Sequence, residues 1–447
     1  MNNSEKKSSD GFHWGPFTTR IPFKHFRVEW NDFLQGLVVA GSTALALIPL
    51  LMNFFGLSLE EAVAMGLLHS ILITSHVVIF GEPYAPGWVT PALPLVLAFV
   101  LGQIDNPQER FQMMTVLAIE LSAILLFLGV TGLAKKLFSF IPQALKAGII
   151  MGAGFSALKR VFVDDADKLF FNAPFATGSA ILVCFVFTFS ASFGQIKQNY
   201  PIVAKIAAFG LLPGFAIAAI VGPLAGEIQF DVEWGFVDLA FASMWQKTSP
   251  LHIGWAPLEL WLTAFPLALV TYVILFGDLL TGNAIIKEAQ PSRPDNPIDI
   301  NVNRSHISLG IRNAVMSIIA PFFPTQGTLW TGVHAIIVQE WKKGKDRMES
   351  LHGGIISYYS FGVPVYFVFL PFVTALKPLM PIALALTLVL TGFVCAYIAQ
   401  SMVKKPEEQG VAMITAFALV FFTPWVGISV GAISSLILLN HKVVKSS

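Results

Sequence analysis

Two strongly apolar segments of the chain are each interrupted by residues that break helices. The interruptions are Thr90-Pro91-Ala92-Leu93-Pro94 and Pro324-Thr325-Gln326-Gly327-Thr328. A bilayer segment that stops being helical leaves backbone N–H and C=O groups unpaired, and hydrocarbon tolerates this only where the break lines a wet or protein-lined cavity. Matching breaks in the two halves of a chain are typical of membrane transporters, whose substrate binds at the breaks.

The breaks also indicate the chemistry of the ligand. Two half-helices whose N-termini face each other near the middle of the membrane each present a positive dipole end and free N–H groups to one ligand. An anion, or a molecule with a strongly polar edge, fits such a site. We therefore predict that the substrate-binding residues are Ala92, Leu93, Leu95, Gln326, Gly327, Thr328 and Leu329.

The amino-acid composition points to a membrane environment. Of 447 residues, 55% are hydrophobic and only 12% are charged, and the mean hydropathy is +0.69. A water-soluble core does not need that much apolar surface. At roughly 20 residues per span, the repeated apolar runs accommodate about 14 transmembrane helices. The expected fold class is therefore all-α integral membrane, with spans near Asn31–Asn53, Glu60–Phe80, Thr90–Gly102, Phe111–Gly132, Leu137–Val161, Thr177–Phe193, Ile202–Leu224, Pro257–Gly277, His306–Phe323, Gln326–Trp341, Gly353–Leu376, Pro381–Gln400, Gln409–Phe422 and Val426–Asn440.

The charged residues between the spans support this count. Basic loops alternate along the chain with loops that are acidic or poor in charge, as the positive-inside rule requires. Both termini are therefore expected in the cytoplasm, and the protein in the plasma membrane, which in a bacterium is the inner membrane. The basic positions are Lys6, Lys7, Lys24, Arg27, Lys135, Lys136, Lys197, Lys287, Arg293, Lys342, Lys343, Lys345, Arg347, Lys404, Lys405, Lys442 and Lys445.

Fourteen spans with breaks in the third and the tenth divide into two sets of seven. An odd number of spans per set turns the second copy upside down, which is an inverted-topology repeat. The sequence is predicted to begin with a cytoplasmic arm at 1–30. A core domain at 31–133 and 257–376 carries both half-helices, and a gate domain at 134–226 and 377–447 ends in a short tail. An extracytoplasmic connection at 227–256 joins the two halves. Within the connection, Asp231–Gln246 fits an interfacial helix and an ordered loop equally well.

Asp278 is the strongest candidate for a coupling site. A charged side chain at mid-span costs at least ~2.5–3.5 kcal/mol unless it is paired or hydrated. Asp278 lies near the inner end of the eighth predicted span and shares a helix face with Thr281, three residues further on. Their oxygens suit a hard cation such as Na⁺. The competing interpretation is that Asp278 marks the point where the span reaches cytoplasmic water.

Glu120 is a second candidate, because it lies in the middle of an apolar span with no other charge nearby. An unpaired carboxyl there could carry a proton between the two sides of the membrane. Equally, a protonated carboxyl bonded to Ser or Thr could hold two helices together. His69, His76 and His334 are more often structural in such helices, and only His334 is placed close to a break.

Several short motifs resemble those of the SulP-type anion transporters. The matching stretches are Asn303-Arg304, Leu309-Gly310-Ile311, Asn313, Phe322-Phe323-Pro324 and Gln326-Gly327-Thr328 at the tenth span, Asp32-Phe33-Leu34-Gln35-Gly36-Leu37-Val38-Val39-Ala40 at the first, Leu137-Phe138-Ser139-Phe140-Ile141-Pro142 at the fifth and Trp425-Val426-Gly427-Ile428-Ser429-Val430-Gly431 at the last. Such transporters share a fold with the nucleobase and ascorbate permeases and the bicarbonate exchangers, that is, solute carrier families 26, 23 and 4. The chain also resembles the uncharacterised bacterial branch called domain of unknown function 3360.

The resemblance implies a mechanism and an assembly. It implies alternating access by an elevator or rocking motion of the core domain, a homodimer formed through the gate domains, and a role for Asp278 in Na⁺ or H⁺ coupling. The basic residue that many anion-transporting relatives carry just inside the tenth span would fall near Thr331. Without it, only two helix dipoles, together roughly one elementary charge, would balance an anion. The expected function is secondary active transport of a small anion of the sulfate, bicarbonate, carboxylate or sulfonate class, with no cofactor beyond the coupling ion.

The sequence leaves other functions open. A nucleobase-type permease of the same fold would need a hydrogen-bonding carboxylate in the tenth span, and Glu340 lies at its wrong end. A passive anion channel would need no coupling ion. An intramembrane enzyme would use Glu120 and Asp278, although a transporter and not an enzyme is expected. The sequence contains no HExxH, Walker or dinucleotide-binding motif, which disfavours metalloprotease chemistry and ATP-driven pumping. The basic run from Lys342 to Arg347 indicates membrane topology rather than nucleic-acid binding.

Overall fold

The structure is a computed structural model, and it describes residues 11–44, 46–200, 203, 211–360 and 368–439. Most of these residues are helical, as predicted. Two short antiparallel strands, β1 (Phe12–Trp14) and β2 (Phe17–Thr19), form a hairpin in the N-terminal arm, which the all-α expectation did not include. The start of the arm, the start of the seventh predicted span, the middle of the eleventh and the end of the C-terminal tail lie outside the described residues.

The described residues form a succession of helices joined mostly by short connections. In the first half they are α1 (Trp30–Ala44), α2 (Leu47–Phe55), α3 (Leu59–Val78), α4 (Leu93–Gln103), α5 (Pro107–Thr131), α6 (Ala134–Phe140), α7 (Gln143–Lys159), α8 (Ala166–Leu169), α9 (Pro174–Phe189), α10 (Ala191–Asn199) and α11 (Leu212–Leu224). In the second half they are α12 (Phe241–Thr248), α13 (Pro250–Ile253), α14 (Leu258–Ala289), α15 (Val302–Ile319), α16 (Thr331–Lys342), α17 (Leu351–Ser360), α18 (Leu370–Leu376), α19 (Met380–Met402), α20 (Pro406–Phe421) and α21 (Pro424–Leu438).

Helix length and hydropathy support an integral membrane protein. Four helical segments are long and apolar enough to cross a bilayer: Leu59–Val78, Pro107–Thr131, Leu258–Ser292 and Leu370–Met402. A fifth candidate is α6 together with α7, which meet at a bend of 90°. Four shorter apolar helices of 10–17 residues, among them Thr90–Gln103, accompany them. The predicted 14 spans and the seven-plus-seven repeat stay predictions.

Two predicted spans differ from the helices observed. The fifth was expected to run unbroken from Leu137, but Ile141 is extended before Pro142 and separates α6 from α7. Proline disfavours helical geometry in the residue before it, which accounts for the bend. The eighth was expected to end at Gly277, whereas α14 continues to Ala289 and buries Leu279 and Ile286.

Local sequence signals explain several helix boundaries. Ser58 and Glu61 form a reciprocal capping box at the start of α3, and Asn106 and Asn301 accept hydrogen bonds from backbone N–H groups at the starts of α5 and α15. Gly132 ends α5 in the left-handed conformation, with φ of 71°. Glycine adopts this backbone geometry without steric cost.

The helices pack in two groups. In the first group, α5 lies along α14 and α15, and α14 also contacts α16. In the second, α7 packs against α19 and α20, and α20 packs against α21. We call α3, α5, α14, α15 and α16 the polar helix group, because buried hydrogen bonds connect them, and α7, α19, α20 and α21 the glycine-packed group.

The connection between the two halves is tied down along its length. The Glu227 carboxylate accepts hydrogen bonds from the backbone N–H groups of Phe175 and Ala176 at the start of α9. The next part is extended and pairs with Val368–Leu370 through Val237 and Gly235. It then forms α12, so the segment predicted to be either a helix or a loop is extended first and helical afterwards.

The end of the molecule that carries most of the basic residues is cross-linked by hydrogen bonds. The buried guanidinium of Arg293 donates to the carbonyls of Trp341 and Met348 and pairs with Asp295. The hydrogen bond and charge of Arg293 hold the pKa of Asp295 below its ordinary value. The N-terminal hairpin closes onto the same end, where Thr19 donates to the carbonyl of Ile79.

Candidate functional site

The second predicted break pairs through its backbone with residues 85–89, which come just before the first predicted break. Thr90 to Pro94 were themselves predicted to interrupt a helix, but they form a 3₁₀ turn and the start of α4. The N–H of Val89 donates to the carbonyl of Pro324 at 2.9 Å, that of Gly327 to Gly87 at 2.8 Å, and that of Trp330 donates at 2.8 Å to the carbonyl of a residue at the start of the first segment. These antiparallel bonds satisfy backbone groups that would otherwise stay unpaired inside the membrane. We call the paired segments, 85–89 and 324–330, the crossing.

A half-helix begins at each end of the crossing. The first begins as a 3₁₀ turn at Thr90 and continues as α4, and the second is α16, which begins at Thr331. Neither Val89 nor Trp330, which precede these starts, provides a side-chain cap. The positive end of each dipole is therefore open to a ligand. The second half-helix also offers its first N–H groups, whereas at the first half-helix Pro91 has no N–H and the N–H groups of Ala92 and Leu93 already donate to Val89 and Thr90.

The second half-helix starts five residues later than the tenth predicted span. Pairing with 85–89 holds Gln326 to Trp330 extended, and this pairing joins parts of the chain that are remote in sequence. The close approach depends on glycine, because a Cβ on Gly327 would lie 2.7 Å from the carbonyl oxygen of Gly87. Gly282 also permits close packing, since a Cβ there would lie 3.0 Å from the ring of Tyr84 and 3.2 Å from the side chain of Leu329.

The predicted substrate-binding residues are all buried. The set consists of Ala92, Leu93, Leu95, Gln326, Gly327, Thr328 and Leu329. Their assignment to substrate stays a prediction. The residues at the two helix starts are more accessible, since Thr90 and Pro91 are half-buried and Thr331 and Gly332 are exposed. A Cβ on Gly332 would meet no atom within 4 Å, so this side of the second half-helix faces open space.

A buried arginine supports the crossing from behind. Arg312 on α15 donates to the side-chain oxygen of Gln326 at 2.9 Å and to the carbonyl of Gly327 at 3.3 Å. It also donates to the carbonyl of Leu72 at 3.1 Å. Arg312 is 1% exposed and forms no ion pair with any described carboxylate. An arginine keeps its charge in proteins, so a full positive charge lies directly behind the crossing.

Sequence reasoning missed Arg312, although the signal was present. It interrupts the apolar ninth predicted span, and a charge in such a span is a functional candidate by default. Its neighbour Asn313 was noted only as part of a motif. Asn313 donates to the carbonyl of Gln326 at 3.1 Å, so two adjacent side chains of α15 hold the crossing.

Three histidines also contact the crossing or the helices behind it. His69 is hydrogen-bonded to Thr325 at 2.8 Å, His334 receives the N–H of Ala85 at 3.2 Å, and His76 is bonded to Ser308 at 3.3 Å. The Nε2 atom of His76 is buried and has no partner among the described residues. The rings of His69 and His334 have a further backbone partner each, at Ala320 and Gly282. Buried polar atoms of this kind are normally satisfied by ordered water or a ligand.

Asp278 lies where the two helix groups meet. It is half-buried on α14, forms no hydrogen bond or ion pair with the described residues, and acts electrostatically on the thiol of Cys395 on α19. The helix continues for eleven residues past Asp278 to Ala289, so Asp278 is not the helix end. Beside it, Gly277 faces open space, since a Cβ there would meet no atom within 4 Å.

Thr281 is exposed, and its hydroxyl donates to the carbonyl of Gly277 at 3.0 Å. The hydroxyl oxygen keeps free lone pairs, so Asp278 and Thr281 together offer two oxygen ligands on one helix face. A Na⁺ ion would need further oxygens from outside this face. Within the described part of the chain, no three His, Cys, Asp or Glu side chains form a cluster able to hold a metal ion.

Glu120 is separate from these groups. It is 8% exposed on α5, and its Oε2 atom has no hydrogen-bond partner among the described residues. The hydrogen bonds from α5 to α15 come from Thr115 and Ser122 instead. Residues two apart on a helix do not share a face, so Glu120 points away from the Ser122 contact. No described hydrogen bond or ion pair joins Glu120 to Asp278.

Comparisons with known proteins place this geometry in a known fold. No protein-family model matches the chain, and no curated protein sequence is similar to it. The predicted membership of domain of unknown function 3360 is therefore not confirmed. Solved structures do match. The transmembrane domain of a cyanobacterium bicarbonate transporter, BicA, has a TM-score of 0.57 and 15% identity, covering 93% of this chain and all of that one.

The murine solute carrier 26 family member A9 anion transporter, in the inward-facing state, has a TM-score of 0.54 and 17% identity, covering 92% of this chain and 68% of that one. A second SLC26A9 structure has a TM-score of 0.53 and 15% identity, with shares of 91% and 64%. Identity this low establishes the fold and not the substrate. The resemblance read from the sequence motifs is confirmed at that level: the chain has the transmembrane fold of the SulP and solute carrier 26 anion transporters.

Proposed function

We propose that the protein is a secondary active transporter of a small anion, of the sulfate, bicarbonate, carboxylate or sulfonate class. The observation that carries this proposal is the crossing, from whose ends two uncapped half-helices begin and behind which Arg312 lies. The structural neighbours, a bicarbonate transporter and an anion transporter by name, support the same class of substrate.

The charges around the crossing favour an anion over a neutral ligand. Each helix N-terminus contributes roughly half a positive charge, and Arg312 adds one full charge. No described carboxylate forms an ion pair with Arg312, whose direct partners are carbonyls and the Gln326 amide. The buried Glu82 carboxylate acts on Arg312 from a greater distance and is itself paired with Arg304. An anion beside the helix starts would reduce the cost of holding these charges away from water. Arg312 thus replaces the basic residue that the sequence lacks near Thr331.

Asp278 is the proposed coupling group. An unpartnered, charged carboxylate at the junction of the two helix groups is energetically costly. Binding of a cation or a proton neutralises the carboxylate and lowers that cost. Na⁺ would bind Asp278 and Thr281 and take its remaining oxygens from the facing half-helix or from substrate. H⁺ would bind the carboxyl alone. Glu120, buried and unpartnered, is a second proton site in this proposal.

Transport would proceed by alternating access, with the core domain moving against the gate domain. In this proposal the core contains the polar helix group at 31–133 and 257–376, and the gate contains the glycine-packed group at 134–226 and 377–447. The gate domains would pair as a homodimer in the plasma (bacterial inner) membrane, with both chain termini cytoplasmic. The exposed apolar surface of α20 and α21 is compatible with either a partner gate or lipid.

The alternative functions find less support. Glu340, the acidic residue that a nucleobase permease would need near the site, is paired with Lys343 and Arg347 at the far end of α16. An intramembrane enzyme would need Glu120 and Asp278 together, and no described contact joins them. A passive channel of this fold would show anion conductance without any coupling ion.

Uptake into proteoliposomes tests the proposal. Purified protein is reconstituted, and uptake of labelled bicarbonate, sulfate, acetate and methanesulfonate is followed with and without inward Na⁺ and H⁺ gradients. We expect gradient-driven accumulation of one of these anions, and its loss in Asp278→Asn. Glu288→Gln, which removes an exposed acid on the same helix, is the matched control and keeps wild-type uptake. Accumulation independent of both gradients in wild type, or normal coupled uptake by Asp278→Asn, contradicts the proposed coupling. No uptake of any of the four anions, together with uptake of uracil, moves the assignment to the nucleobase alternative.

A further inference from the structure

A cavity lies between α14, the junction of α5 with α6 and the start of α15, and its lining includes neither half-helix start. Its volume is about 660 Å³. Helix α14 contributes Leu280, Asn283, Ala284 and Lys287, whose spacing of three and four residues places them on one face. The other walls come from the junction of α5 with α6 and from the start of α15, which contribute Gly132, Lys135, Ile300, Asn301, Val302 and Asn303.

The polar groups of this cavity suit an anion. Lys135 and Lys287 approach from different walls, both are exposed, and neither forms an ion pair or hydrogen bond with the described residues. The opposite wall is the start of the 18-residue helix α15, where the dipole is positive. Asn301 uses its side-chain oxygen to cap that helix, which leaves its amide N–H groups free to donate. No carboxylate lines the cavity.

The helices that contribute Gly132 and Lys135 to the cavity also carry exposed apolar side chains close by in the chain. On α5, Phe127 is 61% exposed and Val130 is 76% exposed, five and two residues before Gly132. On α6, Leu137 and Phe140 are also exposed, beside Lys135. Since α6 lies at 90° to α7, a membrane-crossing α7 sets α6 along the membrane surface, with its lysines toward the headgroups and its apolar side chains toward the acyl chains.

We propose that this cavity binds the phosphate group of an anionic phospholipid. The phosphate would lie between Lys135 and Lys287 and receive hydrogen bonds from the Asn301 amide, and the acyl chains would run along Phe127 and Val130. Basic pockets between membrane helices are a known arrangement for such headgroups. The site is independent of the anion proposed to be transported, because the cavity lining contains neither half-helix start.

A soluble phosphate is the main rival ligand. The cavity reaches Asn283, whose side-chain oxygen accepts the hydroxyl of Tyr84 at 2.5 Å, and Tyr84 immediately precedes the crossing. A cavity with that connection could serve as a vestibule for soluble anions. The exposed apolar side chains on the neighbouring parts of α5 and α6 favour the lipid, since a soluble anion gains nothing from Phe127, Val130 or Phe140.

Native mass spectrometry of the detergent-solubilised full chain tests the proposal with palmitoyl-oleoyl phosphatidylglycerol as the probe. We expect phosphatidylglycerol to bind more tightly than phosphatidylcholine of the same chains. Removing one basic residue near anionic lipid weakens binding by roughly fivefold, so the double variant K135Q/K287Q should weaken it by about 25-fold. The charge-preserving variant K135R/K287R should keep wild-type affinity.

The matched control is K136Q, which neutralises the exposed lysine next to Lys135 that does not line the cavity. It should bind phosphatidylglycerol as wild type does. Wild-type affinity in K135Q/K287Q, equal affinity for phosphatidylcholine, or displacement of the lipid by equimolar inorganic phosphate would each overturn the proposal, the last in favour of a soluble anion. If the double variant does not fold, the single variants K135Q and K287Q carry the test, each with an expected loss of about fivefold.

Discussion

The polar helix group and the glycine-packed group achieve close packing by different means. In the polar group, side chains bond across helices to backbone and to each other, as Arg312 does to Gly327 and Tyr272 does to His306. Among the described residues of α7, α19, α20 and α21, no side-chain hydrogen bond joins one helix of the group to another. Their contacts are made through glycine, and Gly154 and Gly392 bring two backbones together.

The two kinds of packing imply different behaviour of the two helix groups during transport. Lipid tails are as apolar as helix surfaces, so helices in a bilayer associate through close van der Waals packing or through hydrogen bonds. Helices that contact each other through glycine are complementary in one relative position only, and this favours a rigid scaffold. A network with unpartnered atoms, such as Nε2 of His76 and Oδ1 of Asn313, can bind a ligand or water. This contrast agrees with the proposed roles of gate and core.

The largest effect is expected from Gly154→Leu, in the glycine-packed group. A Cβ at Gly154 would lie 2.7 Å from the backbone oxygen of Gly392 and 3.0 Å from the Cβ of Cys395. Because the obstacle is backbone, relief requires α7 and α19 to separate, and we expect a loss of more than about 3 kcal/mol of stability. Thermal unfolding of purified protein in detergent measures this. Gly178→Leu on α9, where a Cβ meets nothing within 4 Å, is the control and should melt near wild type. Equal melting of both variants would mean that glycine packing does not define this group.

The next effect is expected from Arg312→Gln, in the polar group. The substitution leaves three buried acceptors, the carbonyls of Leu72 and Gly327 and the Gln326 oxygen, with fewer donors. We expect a loss of about 2–3 kcal/mol in stability. The proposed role in charge balance adds at least a tenfold loss of anion affinity. Thermal-shift titration with the transported anion measures both.

Arg312→Lys separates charge from geometry. It keeps the positive charge but cannot reproduce the planar fork of donors. We expect it to melt as low as Arg312→Gln and yet to recover most of the anion affinity. If Arg312→Gln binds the anion as tightly as wild type does, Arg312 only holds the crossing in place.

Sequence reasoning succeeded where the signal is local. Pro91 and Pro94 sit at the start of the first half-helix, where proline is favoured, and the predicted start at Thr90 agrees with the structure. The second half-helix was placed five residues too early, because only pairing with the distant segment 85–89 keeps its first residues extended. The continuation of α14 past Asp278 was missed for the same reason: tertiary burial of its apolar face outweighs a local Gly-Asp pair.

The third effect, of middle size, tests the crossing itself. Gly327→Ala places a methyl group 2.7 Å from the oxygen of Gly87 and 3.0 Å from the backbone nitrogen of Val89. The paired segments must move apart, so we expect a loss of about 1–3 kcal/mol and a strong loss of transport. Gly102→Ala, near the far end of α4, meets open space and should keep both stability and transport. Equal transport by the two variants would show that the close approach at the crossing is dispensable.

The smallest effect is expected where the outer connection meets the polar group. Lys247 on α12 pairs with the buried carboxylate of Glu61 on α3 at 2.6 Å, but the lysine side chain is 53% exposed. Water screens an exposed partner, so Lys247→Ala should cost about 0.5 kcal/mol. Glu61→Gln should cost more, because Glu61 also accepts from Ser243 and completes the capping box with Ser58. Melting curves of both variants at low and high salt test this prediction. A small loss of stability in Lys247→Ala that disappears at high salt supports a screened, weak ion pair. A loss as large as that of Glu61→Gln would instead make this ion pair a principal attachment of the connection to the polar group.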